Sequence, residues 1–314
     1  MFIVDTDGGT DDILALLMLI GMGRKPDLIT TSYGNVDAQQ ASLNVLDCLS
    51  VIGEDIPVHM GATRPLKGPV VDATYVHSED GLGGAPRPQN RQEVASTDAI
   101  GELKGVLRRA VLLGVPVEIL TLGPLTNLAM VLMDEPELIK GVKRLWVMGG
   151  TCRGRGNYTP ASEFNIFCDP EAADSVLGLP INTLMIPWEP VLHSAVSGHT
   201  IDAMFEKLPD SALRNFAAAI CDHGRSFTNK WYGEDNLIMP DPLAAACLLD
   251  DEVATRTIIC GVLVECEGKH ARGVTILDFE AQTNRPVIGV VEKVDRVKLE
   301  SLFEASLRSL AGGA

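Results

Sequence analysis

The sequence contains few basic and few aromatic residues for its length. Its 314 residues include 26 Lys and Arg against 42 Asp and Glu, which gives a formal net charge of -16, and aromatic side chains make up only 5%. An acidic chain repels phosphate backbones and anionic membrane surfaces, so the composition argues against nucleic acid or membrane as a partner. A neutral small molecule and a metal cation remain compatible with this charge.

Long apolar runs and paired cysteines are missing as well. The longest apolar run, 13–21, is too short to cross a bilayer, and acidic rather than basic residues precede it, unlike in a signal peptide. The seven cysteines include no C-x-x-C pair, a pattern that favours reduced thiols over disulfides or a zinc site. We therefore expect a globular, cytoplasmic protein.

What the chain does contain is an alternation of short apolar runs and helical segments. Apolar strands that alternate with helices predict an α/β fold with a mostly parallel central sheet flanked by helices on both faces. No repeat or low-complexity linker divides the sequence, so we predict a single domain over 1–314. The pattern predicts strands over 2–4, 28–33, 117–122, 145–150 and 181–186, and helices over 12–21, 38–52, 98–113 and from about 296.

The most unusual stretch is IVDTDGGTDD, residues 3–12, which holds four carboxylates between two apolar runs. Helix capping accounts for one or two of them. Two carboxylates about 5 Å apart repel by roughly 3 kcal/mol at an effective dielectric near 20, so all four together require protons or a bound cation. Oxygen ligands favour a hard cation, Ca²⁺ or Mg²⁺.

Other polar segments also follow predicted strands, namely Gly34-Asn35, Gly123-Pro124 and Gly149-Gly150. In open α/β sheets, ligands bind beyond the carboxyl ends of the strands. We therefore expect these segments and the acidic stretch to meet at one edge of the sheet.

Asp5-x-Asp7 after an apolar strand also resembles the haloacid-dehalogenase phosphatases. That resemblance implies Asp5 as a nucleophile and dependence on Mg²⁺. It leaves Asp11 and Asp12 without a role, and it is kept as an alternative.

Eight motifs, in this order and spacing, resemble the calcium-dependent nucleoside hydrolases of the inosine-uridine preferring type. The resemblance implies a Rossmann-like fold, Ca²⁺ as cofactor, and hydrolysis of the N-glycosidic bond of a ribonucleoside to ribose and free base, as in nucleoside salvage. It also implies a homodimer or homotetramer. The motifs are DTDGGTDD (5–12), YGN (33–35), HSEDGLGG (77–84), LGPLTNLA (122–129), VMGG (147–150), EFN (163–165), DPEAA (169–173) and MPDPLAAA (239–246).

The same resemblance assigns roles to individual residues. Metal ligands would be Asp7, Asp12, Asp241 and the backbone carbonyl of Leu122, and Asp7 would also take the proton of the metal-bound water. His77 would be a second catalytic residue, near the base. The ribose would be held by Asp11, Asn35, Met148, Asn157, Glu163 and Asn165.

Simpler explanations exist for some of these positions. Asp241-Pro242 alone predicts a helix cap followed by proline in the first turn. Asn127 alone predicts a side chain that bonds its own turn. Glu163 and Asn165 would lie on one side of an extended segment.

One position departs from the family pattern. Many members place His or Trp immediately before the last metal-binding Asp, where it helps the base to leave, whereas this chain has Pro240. Two questions therefore stay open, the purine or pyrimidine preference and the class of function, since a Ca²⁺-dependent nucleoside-binding protein with little turnover remains an alternative. Other side chains that would assist the base are His77, Trp188, His223, Trp231 and Tyr232.

Overall fold

The computed structural model describes residues 1–312, which form alternating strands and helices along most of the chain. The strands are β1 (Phe2–Thr6), β2 (Leu28–Thr31), β3 (Val58–Met60), β4 (Val117–Thr121), β5 (Val142–Met148), β6 (Thr183–Ile186), β7 (Val196–Ser197), β8 (Asn236–Leu237), β9 (Ala254–Val264), β10 (Thr275–Asp278) and β11 (Val287–Val294). The α-helices are α1 (Thr10–Gly21), α2 (Ala38–Ile52), α3 (Thr74–His77), α4 (Ala99–Leu113), α5 (Thr126–Asp134), α6 (Phe164–Cys168), α7 (Pro170–Leu177), α8 (Trp188–His193), α9 (Gly198–Glu206), α10 (Ala212–Tyr232), α11 (Pro240–Leu249) and α12 (Arg296–Gly312).

Within the described residues, nine strands form one sheet in the order β10-β9-β11-β6-β5-β4-β1-β2-β3. From β11 to β3 every neighbouring pair is parallel, and β9 and β10 add an antiparallel edge. The predicted α/β fold with a mostly parallel sheet is confirmed. None of the helices in 1–312 is long and apolar enough to span a membrane.

Helices cover both faces of the sheet, which explains why the strands are apolar throughout. Successive side chains of β1 enter different layers: Ile3 packs with α4, α5 and α7, and Val4 packs with α1, α2 and α11. Helix α1 is buried along nearly its whole length, because it lies between the sheet and the helices α11 and α12. The resulting two-sided core fixes the carboxyl ends of the parallel strands.

Two predictions about local backbone structure are wrong. Asp241 does not cap α11, because the helix begins one residue earlier at Pro240 and Asp241 lies inside its first turn. Glu163 and Asn165 do not lie on an extended segment, because the Glu163 carboxylate accepts the N–H groups of Asn165 and Ile166 and so starts the short helix α6. The single domain over 1–314 stays a prediction, and its last two residues lie outside the described ones.

Candidate active site

The loops after β1, β2, β4 and β5 meet at one edge of the sheet, as the motif positions predict. A Cβ atom on Gly34 would overlap the Asp7 carboxylate, and one on Gly123 would lie 2.9 Å from Asp7 Cβ. The two glycines therefore allow the loops after β2 and β4 to close around Asp7. A cavity of about 550 Å³ opens beside them.

Four carboxylates, those of Asp7, Asp11, Asp12 and Asp241, form what we call the acidic centre. Single oxygen atoms of Asp11, Asp12 and Asp241 lie within 4.8 Å of one another. Asp7 is outside that group of three but is tied to it, because the Asn35 side-chain amide donates to Asp7 Oδ1 and Asp12 Oδ2, each at 2.9 Å. The backbone N–H of Asn35 donates to Asp7 Oδ2 at 2.9 Å.

Asp12 also shapes the loop between β1 and α1. Its carboxylate accepts the N–H groups of Asp7 at 3.2 Å and Gly9 at 2.9 Å, together with the Thr6 hydroxyl. Gly8 has a φ of 68° in this turn, a conformation that suits glycine. The sequence DTDGG thus turns sharply enough to place Asp7 and Asp12 side by side.

Asp241 reaches the same point from the first turn of α11. It stands between Pro240 and Pro242, neither of which has a backbone N–H to donate. The first turn therefore offers the carboxylate fewer amide donors than a capping position would. Burial, followed by the charges of Asp11, Asp12 and Asp7, raises the pKa of Asp241 well above its ordinary value.

The other acids of the centre are perturbed in the same direction. Burial raises the pKa of Asp11 to about 6, and burial with the neighbouring Asp12 charge raises the pKa of Asp7 well above its ordinary value. Asp11 Oδ1 is buried and has no hydrogen-bond partner among residues 1–312. Crowded, buried carboxylates fit a hard cation, which would neutralise them, and the unsatisfied Asp11 oxygen is available to a bound molecule.

The residues expected near a ribose lie in the cavity wall next to the acidic centre. Asn165 donates its side-chain amide to the carbonyls of Leu122 at 2.7 Å and Met148 at 3.2 Å. The Glu163 carboxylate is buried and accepts the Gly150 N–H at 2.9 Å, and burial raises its pKa to about 7. Lining the cavity here are Asp11, Asn35, Leu122, Met148, Asn157, Glu163, Asn165 and Asp241.

His77 lies in the same wall. Its Nδ1 accepts the Thr10 N–H at 3.2 Å, lies 2.7 Å from the Thr10 hydroxyl, and is 3.7 Å from Asp11 Oδ1. Burial lowers its pKa to about 4. The imidazole is therefore neutral near pH 7 and is held beside the acidic centre.

Several residues singled out in the sequence do not line the cavity. Asp5 accepts hydrogen bonds from the Thr30 hydroxyl at 2.5 Å and the Asn127 amide at 2.7 Å, so it joins strands of the sheet. Asn127 therefore bonds across the sheet rather than its own turn. His223 Nε2 lies 2.7 Å from the Val76 carbonyl.

Sequence reasoning missed most of the aromatic part of the cavity lining. Phe227 and Trp231 lie one helical turn apart on α10 with ring centroids 5.8 Å apart, and Tyr75 of α3 lies 6.3 Å from Phe227. The i, i+4 spacing on α10 was a signal for this pair, but nothing in the sequence placed Tyr75 beside it. Trp188 and Tyr232, considered above, do line the cavity.

The fold and site together define a class of protein. The family model described as inosine-uridine preferring nucleoside hydrolase matches residues 2–301, so the chain belongs to this family. The resemblance drawn from the motifs is confirmed, as is the enzyme class: a hydrolase that cleaves the N-glycosidic bond of ribonucleosides. The phosphatase alternative is set aside, because the family match includes the acidic stretch and Asp5 lies in a structural network.

The chain is similar to two bacterial relatives and one solved structure. It is 34% identical to the pyrimidine-specific ribonucleoside hydrolase RihA of Salmonella agona (strain SL483), over 98% of each chain. It is 34% identical to the non-specific ribonucleoside hydrolase RihC of Salmonella paratyphi A, over 90% of each. A plant nucleoside hydrolase, PpNRh1, superposes with a TM-score of 0.88 at 27% identity, over 98% of each chain.

Proposed function

We propose that the acidic centre binds Ca²⁺ and that Asp7 is the general base for the attack of water on C1′ of a ribonucleoside. The observation that carries this proposal is the packing of the Asp11, Asp12 and Asp241 oxygens within 4.8 Å, with Asp11 Oδ1 unsatisfied, at the end of a cavity large enough for a nucleoside. Asp7, Asp12, Asp241 and the Leu122 carbonyl would hold the ion, and the unsatisfied Asp11 oxygen would accept a hydrogen bond from a ribose hydroxyl. When bound, Ca²⁺ supplies a lower pKa for water and a grip on the sugar hydroxyls.

The protein's own groups account for the rest of the reaction. Asn35 holds both oxygens of Asp7, so the carboxylate has a fixed orientation when it takes the proton. The electron pair of the C1′–N bond leaves with the base while water forms the new C1′–O bond. The ionised forms of Asp11 and Glu163 would add negative charge near the sugar, which favours the positive charge that builds on the ring.

The sugar is placed by the same wall. Asn165 is held by two backbone carbonyls and Asn157 by the Phe164 N–H at 2.8 Å, so both amides have one fixed orientation toward the cavity. Together with Asp11, Asn35, Met148 and Glu163 they would contact the ribose, and His77 would lie between the sugar and the base. The two bacterial relatives differ in their named base specificity, so no base preference is carried over from them.

The test is release of reducing sugar from inosine, adenosine, guanosine, uridine and cytidine, before and after removal of metal with EDTA. We expect release from at least one nucleoside, loss of release after chelation, and recovery with Ca²⁺ in preference to Mg²⁺. The 2′-deoxynucleoside of the best substrate is the matched control and should be cleaved far more slowly. Release that is unaffected by chelation would contradict the proposal.

We also propose a cytoplasmic location and a homo-oligomeric state for this salvage enzyme. The seven free cysteines suit a reducing, cytoplasmic environment. A homodimer or homotetramer is expected, and sedimentation velocity of the purified protein would distinguish both from a monomer.

A further inference from the structure

The acidic centre and the opposing requirement of a leaving base raise one question, namely which side chain of the cavity could protonate the base. Apart from the acidic centre, the cavity lining includes an aromatic wall, which we define as Tyr75, Phe227, Trp231 and Tyr232, and the apolar residues Ile220, Leu237, Ile238 and Pro240. A nucleoside whose ribose lies at the acidic centre would place its base against this wall.

Among the described residues of this wall, none is a side-chain acid suited to protonate a departing base near pH 7. The Thr228 hydroxyl donates to the Gly224 carbonyl at 3.0 Å within α10, so its proton is already used. Phenols and indoles hold their protons too strongly, and Pro240 has none to give. His223 is not among the residues that line the cavity. Its ring lies against Gly83, and its Nε2 is 2.7 Å from the Val76 carbonyl oxygen.

His77 is the one imidazole in the lining formed by the described residues. Its Nδ1 receives the Thr10 N–H and lies 3.7 Å from Asp11 Oδ1 of the acidic centre. This position orients the ring by contacts with the loop after β1.

The wall does have the surface that attracts a positively charged ring. Aromatic faces bind cations by electrostatic attraction, and the protein carries a formal net charge of -16. A base that already carries a positive charge therefore gains affinity here without needing a proton.

Resting on the proposed function, we propose that this enzyme gives the leaving base no proton and selects ribonucleosides whose base carries a fixed positive charge, such as a purine alkylated at N7. The C1′–N bond breaks with its electron pair moving to the base. A cationic base then leaves as a neutral molecule, whereas a neutral base must leave as an anion that takes a proton from solvent after release. In both cases water supplies the hydroxyl on C1′ and its proton goes to Asp7.

The test compares kcat/KM for inosine with kcat/KM for 7-methylinosine, which differ by one methyl group and one charge. p-Nitrophenyl β-ribofuranoside is the third substrate, because its leaving group needs no protonation and its release is seen directly. We expect 7-methylinosine to exceed inosine by at least 30-fold, and a smaller ratio overturns the proposal.

A His77→Ala variant separates the remaining explanation, that His77 protonates the base. The proposal expects this variant to change turnover of inosine and p-nitrophenyl riboside by similar factors. Loss of inosine turnover alone, with p-nitrophenyl riboside spared, overturns it. If neither 7-methylinosine nor p-nitrophenyl riboside is cleaved by the Ca²⁺-loaded enzyme, the proposed function itself fails, and this inference with it.

Discussion

The acidic centre and the aromatic wall both contribute residues to one cavity but are built in different ways. Asp7 and Asp12 are fully buried and held by hydrogen bonds to backbone amides at the ends of strands. Trp231 and Tyr75, in contrast, are 61% and 55% exposed, and ring packing on a helix surface holds them. The groups proposed to react are thus fixed by the sheet, and the groups that would meet the base are free to vary without disturbing it.

The largest effect should come from the acidic centre. Asp7→Asn keeps the shape of the side chain but cannot accept a proton, so we expect kcat to fall by about 10³-fold or more. Turnover is measured on the best substrate of the nucleoside panel, and nucleoside binding to the Ca²⁺-loaded variant is measured by calorimetry.

The matched control is Asp5→Asn, two residues earlier in the chain, whose carboxylate bonds Thr30 and Asn127 and is not part of the acidic centre. It should reduce stability through its Thr30 and Asn127 partners while changing kcat much less. Equal losses of kcat in both variants would remove the special role of Asp7.

The second-largest effect concerns how the free energy of unfolding depends on pH. Burial raises the pKa of Asp5 from 3.8 to about 6 and that of Glu163 from 4.5 to about 7, so the folded protein binds more protons than the unfolded chain between these values. Stability of the metal-free protein should therefore fall as pH rises from about 4 to about 7, by on the order of 2 kcal/mol per group. Urea unfolding in EDTA at pH 5 and pH 7.5 measures the difference.

The four carboxylates of the acidic centre also have raised pKa values and add to this dependence, and added Ca²⁺ should remove their part of it, because the ion would replace protons as the source of neutralisation there. The same titration in excess Ca²⁺ is the control. If the metal-free protein is more stable at pH 7.5 than at pH 5, the buried carboxylates do not dominate the pH dependence of its stability.

A smaller effect is expected from the aromatic wall. Trp231→Ala removes a stacking surface for the base, worth about 1–2 kcal/mol, so KM should rise roughly 10-fold with kcat changed less. Leu112→Ala, an exposed apolar residue at the end of α4, serves as the control and should change neither constant. A fall in kcat with unchanged KM would mean that Trp231 acts on the reaction rather than on binding.

The smallest effect concerns the segment that joins the two ends. Ser78, next to His77, has φ 68° and ψ 166°, a region of backbone conformation that favours glycine almost alone. Ser78→Gly should relieve this strain and raise the free energy of unfolding by about 1 kcal/mol. Ser78→Ala, which also removes the hydroxyl but keeps the strain, should give no such gain in a thermal melt.

The sequence predicted the acidic end of the cavity better than the aromatic end. The order of apolar strands and helices was sufficient for the parallel sheet, and residues that directly follow parallel strands must meet at one edge. Asp241 could be predicted only from its motif. It reaches the acidic centre because α11 packs on α1, and no local sequence pattern shows that contact. Tyr75 and Phe227 come from helices distant in sequence, and no local pattern shows that two such helices touch.

The two errors about backbone structure, at Asp241 and at Glu163, have a local physical cause. An acid before proline usually caps a helix, but Pro240 already provides the preferred first helical residue, so α11 starts one position early. Glu163 precedes Phe164 in what looks like an alternating segment, yet its carboxylate captures two amide groups and starts a helix instead. In both cases the residues within one helical turn decided where the helix begins.

The acidic centre joins the loop after the first strand to helix α11 at Asp241, so its carboxylates are brought together by the native fold. A cation held there links two distant parts of the polypeptide, much as a covalent cross-link would. Because such a site exists only in the native state, the ion favours folding by mass action, and the effect grows with its concentration. The supply of the ion would then govern how long the enzyme survives, in addition to whether it turns over substrate.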